Sequence, residues 1–348
     1  LLIFTHKPAV DESIVKGLYY RRTLLLVAFG LFNAYILVWV GDILYAYGMT
    51  GLLLYFFRNL AAKRLAVYSG IIFIVLALLH IGLHYQSRSL REAMDEIEAL
   101  PPGTELSVEQ QETVDGWNAF LEQQGHTPEL IATEIEAKQG SYVDAFAWAA
   151  TQNIFIQVFA FPVFIIWDVL AMMLLGMAFY KWGMFDASRS MDTYVKLMLA
   201  GFVIGIPLNY WESMTLVNSD FALYWGATTR PTYDIGRLAL ACGYIGLVMV
   251  ICKSGILSAL RSGLAAVGQM ALTNYLSHSL ICAVIFLGAG FGFFNQLERY
   301  QLYYVVFAIW IFQLFFSSWW LKRYRFGPAE WLWRSLTYGK RQPLKLPA

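Results

Sequence analysis

Three side chains suited to proton transfer or to orienting it stand in apolar stretches of the sequence. Asn274 and His278 are four residues apart, so a helix places them on one face. Asp168 lies near the middle of the apolar span at residues 155–179. Inserting a carboxylate there costs about 2.5–3.5 kcal/mol, so it is expected to face other helices or a wet cavity. The set fits general acid–base catalysis, with His278 as the base and Asp168 or Asn274 orienting it.

The same three residues also fit roles without catalysis. Polar side chains join helices by hydrogen bonds inside a membrane, where no hydrophobic force drives helices together. Asp168 could likewise accept a hydrogen bond from a Trp, Tyr or Asn, or form a proton path with His278. The sequence leaves catalysis, proton movement and helix assembly open.

A second polar set is predicted at the outer ends of the apolar stretches. Gly41 favours a sharp reversal of the chain, and Asp42 fits a cap for the next helix. His80 and His84 are four residues apart, but no third ligand accompanies them, so we predict no metal site, and packing on aromatic rings is the simpler interpretation. The predicted vestibule is lined by the substrate-binding residues Trp39, Asp42, His80, His84 and Arg237, with Glu212 and Asp234 beside them.

The composition indicates the elements that position these residues. Of the 348 residues, 58% are hydrophobic and 14% charged, and the mean hydropathy is +0.53. The apolar residues fall into runs long enough to cross a hydrocarbon core of about 30 Å, where helix is the expected state. The prediction is an all-α bundle of about eight transmembrane spans, at residues 23–40, 43–57, 65–85, 155–179, 194–211, 235–252, 264–288 and 302–321. The net charge of +1 argues against a nucleic-acid partner.

Lys and Arg alternate between the short connecting segments, and this alternation predicts the orientation. The basic segments near residues 21, 58, 181–196, 253–261 and 322–325 are predicted to be cytoplasmic. The insertion at 86–144, with thirteen acidic and three basic residues, is then extracytoplasmic, with helices beginning after Ser107 and at Pro128. The predicted divisions are an N-terminal transmembrane segment (1–85), the insertion (86–144), a transmembrane segment (145–183) and a C-terminal transmembrane domain (184–348). Because the chain begins Leu-Leu-Ile-Phe without Met, we interpret it as a fragment with a missing N-terminus.

The C-terminal segment combines aromatic and basic residues. The string at 319–325 predicts an interfacial anchor that contacts anionic lipid headgroups. A short helix is expected from Pro328 onward, lying on the membrane surface. Arg325 and Arg334 are the predicted ligands for lipid headgroups or for the phosphates of an acyl-CoA donor.

Two strings in this half of the chain carry a family resemblance. Residues 268–276 (Gly-Gln-Met-Ala-Leu-Thr-Asn-Tyr-Leu) and 326–339 (Phe-Gly-Pro-Ala-Glu-Trp-Leu-Trp-Arg-Ser-Leu-Thr-Tyr-Gly) resemble the DUF418, or YeiB-like, bacterial inner-membrane proteins, over roughly 184–338. Residues 39–44 and 175–178 extend the resemblance to the N-terminal half. It implies a multi-pass inner-membrane protein distantly similar to membrane acyltransferases.

Together these features predict an acyltransferase-like membrane protein. It would move an acyl group from a cytoplasmic acyl-CoA-type donor to an envelope or lipid acceptor, with the lipid bilayer as its surroundings. The alternative is a proton-coupled transporter or a lipid- or quinone-binding membrane protein. A third hypothesis is a non-catalytic partner that binds an envelope protein through the acidic insertion.

Overall fold

The computed structural model describes residues 12–123, 127–219, 221 and 223–346. Within these ranges the ordered elements are helices, apart from an isolated antiparallel bridge between Tyr324 and Lys345. In chain order the α-helices are α1 Glu12–Leu31, α2 Ile43–Leu54, α3 Ala62–Glu98, α4 Val108–Gln123, α5 Pro128–Gln139, α6 Tyr142–Phe155, α7 Ile166–Lys181, α8 Met191–Asn218, α9 Leu223–Ser254, α10 Ser258–Gln269, α11 Ala271–Phe286, α12 Arg299–Leu321 and α13 Pro328–Tyr338. Two π-helical segments, Phe32–Ile36 and Ile156–Ile165, follow α1 and α6.

The described helices confirm an all-α multi-pass membrane protein. Five are long and apolar enough to cross a bilayer: Ala62–Glu98, Tyr142–Lys181, Met191–Asn218, Pro231–Ser254 and Arg299–Leu321. The bent pair α10 and α11 gives a sixth if counted as one span, and Ile43–Phe57 is a shorter apolar helix. The count of eight spans and the outer location of the insertion stay predictions.

The helix α3 extends well beyond the predicted span at 65–85, since it ends at Glu98. Ion pairs one turn apart line the added turns, Arg88 with Glu92 at 2.7 Å and Arg91 with Asp95 at 2.6 Å. Such pairs stabilise a helix in water by a few tenths of a kcal/mol each. The span predicted from hydropathy ends at residue 85, where the apolar run ends. The helix itself continues to Glu98 through turns that carry these ion pairs.

The predicted span at 264–288 is broken in the structure. Its two parts, α10 and α11, meet at Met270 with a bend of 79°. α10 is amphipathic and α11 apolar. There is no proline at this point, and the break is stabilised by a contact with the C-terminal helix described below.

The chain forms two compact units, one of residues 1–66, 133–178 and 256–348 and one of 67–132 and 179–255. In the second unit, glycines let α8 and α9 pack with their backbones close together. A Cβ on Gly201 would lie 2.3 Å from the backbone nitrogen of Gly243, and one on Gly205 would lie 2.6 Å from that of Leu240. Small residues spaced in this way are typical of helix pairs in membranes.

Replacing Gly201 with Leu is therefore expected to separate α8 from α9. The larger side chain would meet backbone atoms, which cannot move aside as a flexible side chain can, and overpacking of this kind costs about 1–3 kcal/mol or more. The measurement is thermal unfolding of the purified protein in detergent, with a lower midpoint expected. Gly176→Leu is the control, because a Cβ there meets no atom within 4 Å. Equal midpoints for the two variants would contradict the packing described.

Candidate functional site

The break between α10 and α11 is held by Glu330 of α13. The Glu330 carboxylate accepts hydrogen bonds from the backbone N–H groups of Leu272 (2.6 Å) and Thr273 (3.0 Å) through Oε1. Its Oε2 accepts one from the Thr273 hydroxyl at 2.5 Å. The first N–H groups of a helix have no partner within it, and they favour an anion. Glu330 thus acts as the N-terminal cap of α11 from a distant part of the sequence.

The capping is reciprocal, because Thr273 in turn caps α13. The backbone N–H of Ala329 donates to the Thr273 Oγ1 at 3.0 Å. Gly327 makes this approach possible, since a Cβ there would lie 2.6 Å from Thr273 Oγ1 and 3.1 Å from Met270 Cγ. The strings at 268–276 and 326–339 are therefore the two halves of one contact.

The next residue along α11, Asn274, stabilises the break through its side chain. Its side chain is buried, and its Nδ2 donates to the Val267 carbonyl at 3.1 Å and to the Ser317 hydroxyl at 3.0 Å. The first bond adds to the one that the backbone N–H of Met270 donates to the same Val267 carbonyl at 3.1 Å. The second ties α11 to α12.

His278 lies one turn further along α11, where its Nδ1 has two neighbours. The Asn274 carbonyl oxygen is 3.0 Å away and the Gln313 Nε2 is 3.1 Å away. Gln313 is buried in α12 and donates to the Asn274 carbonyl at 2.9 Å and to the Ser277 hydroxyl at 3.0 Å. The contacts found for His278 among the described residues all use Nδ1. Asn274 therefore contacts His278 through its backbone, while its side chain bonds elsewhere.

Tyr275, on another face of α11, contacts the predicted vestibule residue Asp42. The Tyr275 hydroxyl donates to Asp42 Oδ2 at 2.9 Å, and Asn33 Nδ2 donates to the same oxygen at 2.7 Å. Asp42 Oδ1 accepts the N–H of Tyr45 at 2.7 Å and so caps α2, as predicted. Asp42 is buried and Asn33 is fully buried.

The backbone around Asp42 is irregular. The π-helical segment Phe32–Ile36 ends α1, Val38 has a φ of 56°, and Gly41 has a φ of 75°. The positive φ at Gly41 bears out the predicted reversal. Asn153 of α6 fixes the reversal, because its side chain accepts the Gly41 N–H at 3.1 Å and donates to the Ala34 carbonyl at 2.9 Å. π-Helical turns are frequent at functional sites.

Asp42→Asn is expected to destabilise the protein by about 1–3 kcal/mol. The amide retains an acceptor for Tyr45, but its NH₂ group cannot accept the hydrogen bonds of Asn33 and Tyr275. A lower thermal midpoint in detergent is the expected readout, and Asp192→Asn is the control, because Asp192 pairs only with Lys196 at an exposed position. A midpoint unchanged by Asp42→Asn would contradict this network.

The remaining predicted residues of this unit are less enclosed. Asp168 is half-buried near Tyr47, close enough for an electrostatic interaction. The Trp39 side chain is exposed, and its backbone N–H donates to the Asn33 carbonyl at 3.2 Å.

The second unit brings together three residues of the predicted vestibule. Asp234 is buried, its Oδ1 pairs with Arg237 at 2.5 Å, and its Oδ2 lies 3.9 Å from His80 Nδ1. Glu212 is also buried, and its carboxylate accepts a hydrogen bond from the Thr232 hydroxyl at 2.7 Å. No group of three His, Cys, Asp or Glu side chains able to hold a metal ion is found in the described ranges.

The predicted anion-binding arginines differ in their surroundings. Arg334 lies over the Phe326 ring at 4.4 Å, and Arg22 lies over the Trp333 ring at 3.9 Å. Trp333 also donates its indole N–H to the Arg22 carbonyl at 2.9 Å. Burial, and secondarily the Arg334 guanidinium, lower the pKa of Arg22. Arg325 is exposed, and its backbone N–H donates to the Leu344 carbonyl at 2.9 Å.

Sequence reasoning missed several residues that this geometry uses. Gln313 and Ser317 are four residues apart in the apolar helix α12, and that spacing could have indicated a polar face toward α11. Asn33, Tyr275 and Asn153 are polar residues in apolar stretches as well, but nothing in the sequence connects them with Asp42.

Comparisons with known proteins show what parts of this chain resemble. Residues 179–340 match the family model "Protein of unknown function (DUF418)". The chain is 26% identical over 334 residues to the uncharacterized protein YxaH of Bacillus subtilis. The aligned residues are 94% of this chain and 73% of YxaH. It is 32% identical over 172 residues to the uncharacterized protein YeiB of Escherichia coli, covering 49% of this chain and 44% of YeiB.

A further relative is an uncharacterized 39.9 kDa protein of Bacillus acidopullulyticus, 34% identical over 142 residues, which are 41% of this chain and 38% of that protein. The match thus spans less than half the length of YeiB and of this relative. No solved structure gives a significant match.

Proposed function

We propose that this DUF418- and YeiB-like membrane protein is an acyltransferase-like enzyme. It transfers an acyl group from a cytoplasmic acyl-CoA-type donor to a hydroxyl or amine of an envelope or lipid acceptor. The observation that carries the proposal is the position of His278, an ionisable side chain oriented by Asn274 and Gln313 on a broken apolar helix. Ionisable side chains within apolar membrane helices are costly and mark functional sites by default.

The hydrogen bonds around His278 favour the tautomer that a general base needs. The two amide hydrogens of Gln313 have two oxygen acceptors, the Asn274 carbonyl and the Ser277 hydroxyl, both within 3.0 Å. We therefore assign the imidazole hydrogen to Nδ1, which donates to the Asn274 carbonyl. Nε2 then holds the lone pair that accepts a proton.

In the proposed reaction, His278 Nε2 takes the proton from the acceptor hydroxyl as its oxygen attacks the thioester carbonyl of the donor. The C–S bond breaks, and the imidazolium returns the proton to the departing thiolate. Asn274 and Gln313 act as positioning residues. Asp168, placed beside Tyr47, has no step in this scheme.

Donor and acceptor are assigned to different regions. The guanidinium groups of Arg22 and Arg334 each lie over an aromatic ring and influence each other electrostatically. Guanidinium groups are suited to phosphate, so we assign the donor phosphates to these two arginines and to Arg325. The acceptor-binding residues of the proposal are Trp39 and Asp42 in the first unit and, separately, His80, His84 and Arg237 in the second unit. The C-terminus is proposed to be cytoplasmic and residues 86–144 extracytoplasmic, as the distribution of Lys and Arg indicates.

Radiolabelled acetyl-CoA supplied to purified protein with extracted envelope acceptors tests the proposal. We expect label to appear on an acceptor in proportion to the amount of protein. Absence of transfer with every acceptor fraction, together with no binding of the donor, would contradict it.

A proton-coupled transporter is the second candidate, and one observation favours it. The helix from Tyr142 to Lys181 is interrupted by the π-helical segment Ile156–Ile165, which contains Pro162. Interrupted helices are common at the binding sites of transporters. Proton-dependent uptake into proteoliposomes, without acyl transfer, would support this function over the enzyme.

A further inference from the structure

The segment after α13, at residues 339–346, folds back against the residues that follow α12. Tyr324 and Lys345 form an antiparallel bridge, with hydrogen bonds from the Arg325 N–H to the Leu344 carbonyl (2.9 Å) and from the Leu346 N–H to the Arg323 carbonyl (3.2 Å). Helix α13 holds the middle of the segment, because Trp331 donates its indole N–H to the Gln342 carbonyl at 2.8 Å. The returning chain is therefore fixed at its middle and near Lys345.

An open, shallow cavity lies along this returning chain. It has a volume of about 690 Å³, and we name it the tail pocket. Its lining residues are Tyr324, Arg341, Gln342, Pro343, Leu344 and Lys345. The pocket combines two cations and polar groups with two apolar side chains, a lining that suits an amphiphilic ligand.

The tail pocket lies in a strongly basic part of the sequence. Residues 322–346 contain seven Lys or Arg and a single acidic residue, Glu330, whose carboxylate is bound to α11. No carboxylate lies within ion-pairing distance of Arg341 or Lys345 in the part of the chain that the structure describes. Arg341 lies over the Trp331 ring at 5.8 Å, a contact that orients the guanidinium and leaves its charge intact.

The pocket also lies next to the end of a membrane span. Tyr324 follows the last residue of α12 by three positions and stacks on Trp320, with ring centroids 4.3 Å apart. Trp and Tyr at the end of a span mark the level of the lipid headgroups. Arg341 and Lys345 line the same pocket as Tyr324, so we assign them to the level of the lipid phosphates.

From the basic lining of the tail pocket and its position beside the end of a span, we propose that it binds the headgroup of an anionic phospholipid. Arg341 and Lys345 contact the phosphate, while Pro343 and Leu344 face the start of the acyl chains. The cations of the pocket are different from the arginines assigned to the acyl donor, so the two assignments can be tested independently.

The test measures lipid binding by native mass spectrometry of the full chain in detergent micelles that contain phosphatidylglycerol or phosphatidylcholine. The double variant Arg341→Gln/Lys345→Gln is expected to lose about 25-fold in affinity for phosphatidylglycerol, from roughly fivefold for each cation near a membrane surface. Its affinity for phosphatidylcholine is expected to stay unchanged. The charge-conserving variant Arg341→Lys/Lys345→Arg should bind phosphatidylglycerol within about twofold of the wild type if charge is the determinant.

The matched control is Lys63→Gln/Arg64→Gln, which removes the same charge from exposed positions elsewhere in the chain and should retain binding. Equal losses in both double variants would overturn the proposal, because binding would then follow total charge. Retained binding in Arg341→Gln/Lys345→Gln would overturn it too, as would complete displacement of the lipid by an equal concentration of inorganic phosphate. No acyl donor enters this assay, so its outcome is independent of the acyltransferase proposal.

Discussion

Glu330→Ala is expected to lower the stability of the protein by about 2–4 kcal/mol. The substitution leaves the N–H groups of Leu272 and Thr273 and the Thr273 hydroxyl without the acceptor that the carboxylate provides. Hydrogen bonds to a charged group contribute about 1.5–3 kcal/mol each, and bonds that share one acceptor are not additive. Thermal unfolding in detergent is the measurement, with a clearly lower midpoint expected.

Two further variants separate the cap from a general loss of charge. Glu330→Gln retains one oxygen acceptor and should fall between the wild type and Glu330→Ala. Glu136→Ala removes a carboxylate from an exposed position on α5 and should change the stability by less than about 0.5 kcal/mol. Equal midpoints of thermal unfolding for Glu330→Ala and Glu136→Ala would contradict the capping of α11 by Glu330.

His278→Ala is expected to reduce acyl transfer by about 10²–10⁴-fold, the contribution typical of a general base. Donor binding should be unchanged, because the proposed donor site uses Arg22 and Arg334. The measurement compares the rate of label transfer at saturating donor with the equilibrium binding of labelled donor.

Gln313→Met and His126→Ala serve as the controls for His278. Gln313→Met removes the amide that fixes the Asn274 carbonyl and should lower the transfer rate by a smaller factor, without abolishing the base. His126 stands in the acidic insertion, outside the apolar stretches, and its replacement should leave transfer unchanged. Full transfer activity in a folded His278→Ala protein would exclude His278 as the base.

The sequence predicted those parts of the fold that depend on composition and local patterns. Apolar runs indicated the membrane helices, Pro128 and Pro328 the beginnings of α5 and α13, and Ser107 the beginning of α4. The strings at 268–276 and 326–339 indicated the DUF418 resemblance, which the comparisons confirm.

What could not be predicted depends on contacts distant in sequence. The helix that follows the bend at Met270 is capped by the Glu330 carboxylate, 58 residues from Leu272 along the chain, and no local pattern around Met270 indicates this contact. The same holds for Asp42, whose partner Tyr275 is 233 residues away. The spacing of Asn274 and His278 indicated that they share one helix face, but the contact of His278 with Gln313 on the facing helix could not be predicted from the sequence.

The most direct test of acyl transfer from a cytoplasmic donor uses sealed membrane vesicles of both orientations that contain the protein. Labelled acetyl-CoA, which does not cross the bilayer because of its charged phosphates, is added to the outside. We predict label on envelope or lipid material in inside-out vesicles and none in right-side-out vesicles, with the signal lost in His278→Ala. Equal labelling in both orientations, or labelling that persists in His278→Ala, would contradict the proposed function.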